Sequence, residues 1–197
     1  MNRTASSRSS ERGFTLIEIM IAAIVMVIAL LAVAYGVGVG MTVVMASDED
    51  AIARQKAREA LEDVLTARDT ASITWSQICN VGNGANCIFI NGAEPMYTAG
   101  PDEIVNTADD GQAPFPPGTG CTVAKCVEAI DTPGPDGILG TADDIFIPLN
   151  GFSRQIQITQ IQPQDPPLAQ ITVTIFYTTR QGLNRQVSVN AIISPYV

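Results

Sequence analysis

The N-terminal part of the chain has the apolar pattern of one long helix. Residues 14–46 form an apolar run in which Glu18 is the only charged side chain. The run exceeds the length of about 20 residues that a helix needs to cross a bilayer. Residues 51–69 continue with apolar side chains at the i, i+3, i+4, i+7 spacing of one helical face, at Ala57, Ala60, Leu61, Val64 and Leu65. We therefore predict a helix from Phe14 to about Asp69.

The C-terminal part has the pattern of β-strands. Residues 154–162, 169–179 and 185–193 are rich in Ile, Val, Thr and aromatic side chains that partly alternate with polar ones. A Pro-rich segment and the sequence Gln181-Gly182-Leu183-Asn184 separate them. The pattern predicts an antiparallel meander whose apolar face covers residues 51–69. The expected fold class is α+β, a long N-terminal α-helix packed against a small antiparallel β-sheet.

The charges that flank the apolar run predict its orientation in a membrane. Arg3, Arg8 and Arg12 precede it, and the acidic cluster 48–50 follows it. Basic residues favour the cytoplasmic side, so we expect a cytoplasmic N-terminus and an extracytoplasmic remainder. The run is longer than the apolar region of about 7–15 residues in a secretory signal peptide. On these features alone, a plain single-pass anchor fits.

Glu18 is unexpected in a plain anchor. A carboxylate in an apolar membrane helix costs roughly 2.5–3.5 kcal/mol at the bilayer centre and usually has a partner. The sequence Arg12-Gly13-Phe14-Thr15-Leu16-Ile17-Glu18 resembles the processing site of type IV prepilins. The resemblance implies cleavage after Gly13 by prepilin peptidase, methylation of the new amine on Phe14, and a contact between Glu18 and that amine on a neighbouring subunit. The alternative is a glutamate at the membrane edge that extends its carboxylate to water.

The same resemblance implies a structural role. It predicts a pilin-like fold and a subunit of a type IV pilus or a type II secretion pseudopilus. Minor pilins and minor pseudopilins are the most similar classes, and a major pilin is similar too. The implied partners are prepilin peptidase, other pilin or pseudopilin subunits and the inner-membrane assembly machinery. The implied location is the inner membrane, with the globular domain in a periplasmic or surface filament. The predicted domains are a leader at 1–13, the transmembrane and filament-core half of the helix at 14–46, its amphipathic half at 47–69, a loop-rich variable region with two acidic repeats at 70–153, and the sheet at 154–197.

Gly36, Gly38 and Gly40 interrupt the apolar run. Each costs about 0.5–1 kcal/mol relative to alanine inside a helix. They either let helices pack closely or mark a segment that unwinds on assembly. In many pilins such unwinding occurs near a proline, and Tyr35 stands in that place here.

The four cysteines lie in the variable region. An extracytoplasmic domain with four cysteines indicates two disulfides. We expect the local pairs Cys79–Cys87 and Cys121–Cys126, although four cysteines allow three connectivities. Zinc binding is the alternative, which the spacings fit poorly.

An internal repeat dominates the variable region. Residues 100–110 (GPDEIVNTADD) and 134–144 (GPDGILGTADD) agree at eight of eleven positions. The turn-forming residues predict two structured loops, and residues 94–137 have so few apolar side chains that we expect little core there. Calcium prefers carboxylate and carbonyl oxygens on tight loops, so Ca²⁺ sites are one interpretation and acidic turns are the other. The candidate metal ligands are Asp102, Asp109, Asp110, Asp136, Asp143 and Asp144.

Composition excludes several functions. The chain has no histidine and a net charge of −9, which removes the commonest general base and disfavours binding to nucleic acid. No nucleophile–base pair or phosphate-binding glycine loop is present, so we do not expect an enzyme. The alternative to a filament subunit is a membrane-anchored extracytoplasmic binding module that depends on calcium.

Overall fold

The computed structural model describes residues 13–113, 121, 125–162 and 166–196. Its contacts divide the chain into two compact units, one that ends at Val44 and one that begins at Met45. The first helix, α1 (Leu16–Asp69), begins in the first unit and ends in the second. The predicted helix from Phe14 to about Asp69 is confirmed, with a start two residues later.

The first unit is an apolar helix whose surface is uncovered. An 18-residue window of α1 has a mean hydropathy of 3.0, and none of it is buried. Large apolar side chains such as Leu16, Ile24 and Leu31 are 57–78% exposed. This half of α1 is long and apolar enough to cross a membrane.

The second half of α1 is held by a stripe of small residues. Ala53, Ala57, Ala60, Val64 and Ala67 are buried, at the spacing of one helical face. Leu61 and Leu65, expected on the same face, are half-buried and pack against this core. These five residues belong to the same buried core as Ile171 and Val173 of the sheet.

The main sheet has four antiparallel strands in the order β1-β4-β5-β6. They are β1 (Glu94–Pro95), β4 (Phe152–Gln162), β5 (Leu168–Thr178) and β6 (Asn184–Ile193). Along β5, buried and half-buried residues alternate, and Ile171, Val173 and Ile175 are fully buried in the core. The predicted meander is confirmed, because β4, β5 and β6 begin and end within two residues of the predicted strands. The α+β arrangement, a long helix packed on an antiparallel sheet, is confirmed as well.

The variable region contains more order than the sequence indicates. It includes a 3₁₀ helix (Trp75–Gln77) and an antiparallel hairpin of β2 (Ala129–Thr132) and β3 (Ile145–Pro148). The expectation of little core in residues 94–137 is wrong for its first part, where Met96, Ile104 and Val105 are at most 5% exposed. The apolar residues there are few, but these three point inwards and complete the core around α1 and β4.

Candidate functional sites

The predicted processing site lies at the start of α1. The Thr15 carbonyl accepts hydrogen bonds from the amides of Glu18 and Ile19, at 3.1 and 3.3 Å. The Thr15 hydroxyl oxygen also accepts from the Glu18 amide at 3.4 Å, which satisfies a donor that a helix start leaves free. Gly13 and Phe14 precede the helix, and Phe14 is 78% exposed. Both residues of the junction are therefore exposed in front of a capped helix.

Glu18 lies in the first turn of α1 with its side chain exposed. Among the residues that the structure describes, no cation forms an ion pair with it. A carboxylate in a first helical turn is favoured by the helix dipole, and here it remains available to a group from outside the chain. Apart from Gly13, the predicted leader at 1–13 lies outside the described residues.

The cysteines form the two local pairs expected from the sequence. Cys79 is bonded to Cys87, and Cys121 is bonded to Cys126. No cysteine is free, so no thiolate remains for the zinc site that the sequence left open. The first disulfide closes the loop between the 3₁₀ helix and Phe89, which is fully buried in the core.

The two acidic repeats adopt the same local structure. In the first, the Asp109 carboxylate accepts from the Asp102 amide at 3.3 Å, and in the second Asp143 accepts from Asp136 at 3.3 Å. The carboxylates of Asp102 and Asp136 each accept from the amide two residues later, at 2.9 Å. The sequence repeat is thus a structural repeat, closed by carboxylates bonded to backbone amides.

A threonine and a glycine complete each loop. The Thr107 hydroxyl donates to Asp109 at 2.7 Å, as Thr141 does to Asp143. A Cβ atom on Gly100 would lie 2.5 Å from the Asp109 carbonyl oxygen, and one on Gly134 would lie 2.2 Å from the corresponding oxygen of Asp143. Only glycine fits where the ends of each loop meet.

The two loops differ in their surroundings. In the first, Ile104 and Val105 are 4% and 5% exposed, whereas the corresponding Ile138 and Leu139 are 60% and 58% exposed. Asp110 is also buried, and its carboxylate accepts from the Asn106 amide at 2.7 Å. The first loop is therefore part of the core, and the second forms the exposed tip of the β2–β3 hairpin.

The six aspartates do not form a ready-made metal site. In the part of the chain that the structure describes, no group of three or more His, Cys, Asp or Glu side chains is placed to hold a metal ion. Their carboxylates accept hydrogen bonds from amides and hydroxyls within their own loops. This geometry supports the interpretation as acidic turns, and calcium binding stays a prediction.

Calcium binding has a direct test. If the loops bind calcium, the free energy of unfolding increases by about 2.7 kcal/mol when free calcium is a hundredfold above Kd. We would then expect a calorimetric binding signal and a rise in Tm for the detergent-purified protein, relative to chelator. Asp143→Asn should reduce both, and Glu62→Gln on the exposed face of α1 is the control. Equal Tm values in calcium and in chelator would show that the two loops are acidic turns that do not bind calcium.

A buried ionic cluster joins α1, the first loop, β4 and the residue before β2, and local sequence patterns gave no sign of it. The Arg154 guanidinium is 3% exposed and donates to Glu128 at 2.7 Å and to the Tyr97 carbonyl at 3.3 Å. It also lies 3.9 Å from Asp110. Lys56 pairs with Glu128 at 3.0 Å. Lys56, Glu128 and Arg154 line a cavity of about 260 Å³, and Asp63 lines it as well.

Two carboxyls near this cluster are hard to ionise. Burial raises the pKa of Asp63 from 3.8 to about 6, and the nearby Glu59 carboxylate adds to the shift. Burial also raises the pKa of Asp110 to about 6, against the opposing hydrogen bond from the Asn106 amide. Each group therefore binds a proton more tightly in the folded chain than in the unfolded chain.

The shifts predict a protein that is more stable in mild acid. A raised carboxyl pKa contributes stability that is complete below pH 3.8 and is lost as pH rises through about 6. We therefore expect the free energy of unfolding to rise between pH 7 and pH 5, as measured by denaturant titration. Asp63→Asn should raise stability at pH 7 and flatten this dependence. Its exposed neighbour Glu62 provides the control Glu62→Gln, which should leave the slope unchanged.

Comparison with known protein families gives a match at the N-terminal end of the chain. Residues 8–34 match the prokaryotic N-terminal methylation motif. No curated protein and no solved structure matches the chain. Proteins with this motif are processed by prepilin peptidase, assemble with other pilins and serve as structural subunits rather than enzymes. The motif lies at the start of an exposed apolar helix, and together with the α+β arrangement it is typical of type IV pilin-like proteins.

Proposed function

We propose that this protein is a structural subunit of a type IV pilus or a type II secretion pseudopilus. The observation that carries the proposal is the methylation motif over residues 8–34, which overlaps an apolar helix with no cover of its own. An uncovered apolar surface of this length needs lipid before assembly and other helices after it. In a filament, the helices of identical or related subunits cover this apolar surface.

In this function the protein passes through two states. As a precursor it resides in the inner membrane, with residues 1–13 in the cytoplasm and the unit from Met45 onwards on the other side. Cleavage after Gly13 then removes three arginines and one glutamate and creates a new amine on Phe14. The inner-membrane assembly machinery moves the processed subunit into the filament.

Glu18 supplies the polar contact of assembly. Its carboxylate is one helical turn from Phe14 and is exposed, so the methylated amine of a neighbouring subunit can approach it. A buried carboxylate without a partner is strongly unfavourable, whereas an ammonium with good geometry offsets the desolvation. The contact would therefore set the axial position of each subunit relative to the next.

The glycines in α1 remain open to both interpretations. The helix is continuous through Gly36, Gly38 and Gly40, and a Cβ at any of them would meet nothing within 4 Å. No described residue packs against these glycines, so their surroundings in the chain favour neither close packing nor unwinding. The calcium-dependent binding module is not favoured, because a plain binding module has no need of the methylation motif.

The processing step is the most direct test of the proposed function. Intact-mass and N-terminal analysis of the membrane-extracted protein should show a chain that begins at Phe14 and carries a methyl group on its amine. Expression in a strain without the peptidase provides the control, in which the leader should be retained. A chain that still begins at Met1 in the wild-type strain would contradict the assignment.

A further inference from the structure

The tip of the β2–β3 hairpin has an apolar surface that stays exposed in the part of the chain that the structure describes. Ile138 and Leu139 at the tip are 60% and 58% exposed, and Ile145 and Ile147 on β3 are 55% and 50% exposed. The loop that carries the tip is ordered by its own hydrogen bonds, as described above. The apolar side chains are therefore displayed on a defined scaffold.

The first acidic loop shows how this scaffold packs when it is covered. There the corresponding Ile104 and Val105 are buried in the core. The last aspartate of that loop, Asp110, lies 3.9 Å from the Arg154 guanidinium. In the first loop, therefore, two apolar side chains are buried in the core and a carboxylate lies near an arginine.

The charge around the second tip defines what can cover it. Between Lys125 and Arg154 the chain has no basic residue, and its β2–β3 hairpin has four acidic ones, Asp131, Asp136, Asp143 and Asp144. Repulsion from these carboxylates excludes nucleic acid and anionic lipid surfaces. The partner must combine apolar surface with cations.

The β5–β6 turn of this chain has that combination. Leu183 is 53% exposed and lies between Arg180 and Arg185, which are both exposed. Arg180 is only loosely held, since its nearest carboxylate, that of Glu49, is 3.8 Å away. Beside the turn lies a depression of about 410 Å³, lined by Phe176, Tyr177, Arg185 and Gln186 among others. Among the described residues of this unit, Leu183 is the one large exposed apolar side chain flanked by two arginines.

We propose that the Ile138–Leu139 tip of one subunit docks in the depression beside Arg185 of a second copy. The contact joins two different surfaces of the same chain, so repetition of it builds an open, head-to-tail array rather than a closed dimer. This inference rests on the proposed function, because it supplies a contact between globular units of a filament. It adds to the helix contacts and does not replace them.

Engineered disulfides test the contact in the full-length protein. The native cysteines are all paired, so new ones can be placed at Leu139 and Gln186. Oxidation of assembled Leu139→Cys/Gln186→Cys protein should give a ladder of covalent multimers on non-reducing gels. Each single variant should remain monomeric, and Val81→Cys/Gln186→Cys is the matched control, because Val81 is 50% exposed and lies outside the proposed contact.

A charge reversal tests the electrostatic part. Arg185→Glu in the double-cysteine background should lower the multimer yield by about tenfold. This is the effect of losing a close charge pair, here the one between Arg185 and the carboxylates of the docked tip. Arg58→Glu, on the exposed face of α1, should leave the yield unchanged. Equal yields in the two variants would overturn the proposed role of Arg185.

Failure of the inference and failure of the proposed function give different results. Protein that begins at Phe14 and enters filaments, but gives no Leu139–Gln186 ladder, overturns the inference alone. A cross-link from Leu139→Cys to a different protein overturns it too. Protein that is neither cut at Gly13 nor assembled overturns the proposed function, and the inference with it.

Discussion

Glu18→Ala protein should be inserted in the membrane and cut normally but be almost absent from filaments. The substitution removes a charge from the apolar helix, which makes insertion easier. In the filament, however, it leaves the neighbouring Phe14 amine buried without a counter-charge. Loss of one partner of a buried pair costs about 3–5 kcal/mol, which corresponds to a hundredfold or greater loss of incorporation.

The measurement is the ratio of filament-associated to membrane-associated protein in sheared cells. Glu18→Gln keeps the size of the side chain and removes its charge, so it should fail nearly as completely if charge is what matters. Glu62→Ala changes an exposed glutamate further along the same helix and should assemble normally. Wild-type levels of Glu18→Ala protein in filaments would show that the contact is not needed.

Arg154→Leu should destabilise the globular unit more than substitution of any exposed arginine. The side chain is 3% exposed and neutralises Glu128 and Asp110 from within the core. Its removal leaves these carboxylates, together with Asp63, buried among too few positive charges. The expected loss in free energy of unfolding is about 3–5 kcal/mol at neutral pH.

The loss should depend on pH in a defined direction. Arg154 lowers the pKa values of Asp63 and Asp110, so both rise further when it is removed. The carboxyls then protonate more readily in the folded chain, and the loss should be smaller at pH 5 than at pH 7.5. The single tryptophan, Trp75, provides a fluorescence signal for denaturant unfolding.

Arg180→Leu is the control, because its side chain is 75% exposed and its removal should change stability by at most about 0.5 kcal/mol. If Arg154→Leu cost no more than Arg180→Leu at pH 7.5, the cluster would have no structural role. A larger loss at pH 5 than at pH 7.5 would contradict the assignment of the raised pKa values.

The sequence by itself determined the features that depend on local patterns. The helix was predictable because its first half is an apolar run and its second half has apolar side chains at helical spacing. Strands β4, β5 and β6 were predictable because apolar and polar side chains partly alternate along them. The processing site is a contiguous motif that requires no tertiary context. The two disulfides close short loops, and the repeat forms its loops through contacts within eleven residues, so neighbours in sequence were enough to predict them.

Only the tertiary structure decided how those pieces are used. Arg154, Glu128 and Lys56 are far apart in sequence, and they meet because the folded chain brings α1, β4 and the segment before β2 around one cavity. The two acidic loops have almost the same sequence, yet Ile104 is buried while Ile138 is exposed. The two loops differ in burial because the first lies against the core and the second lies at the end of a hairpin. Burial is a property of the surroundings, and a local sequence pattern contains no information about surroundings that distant residues provide.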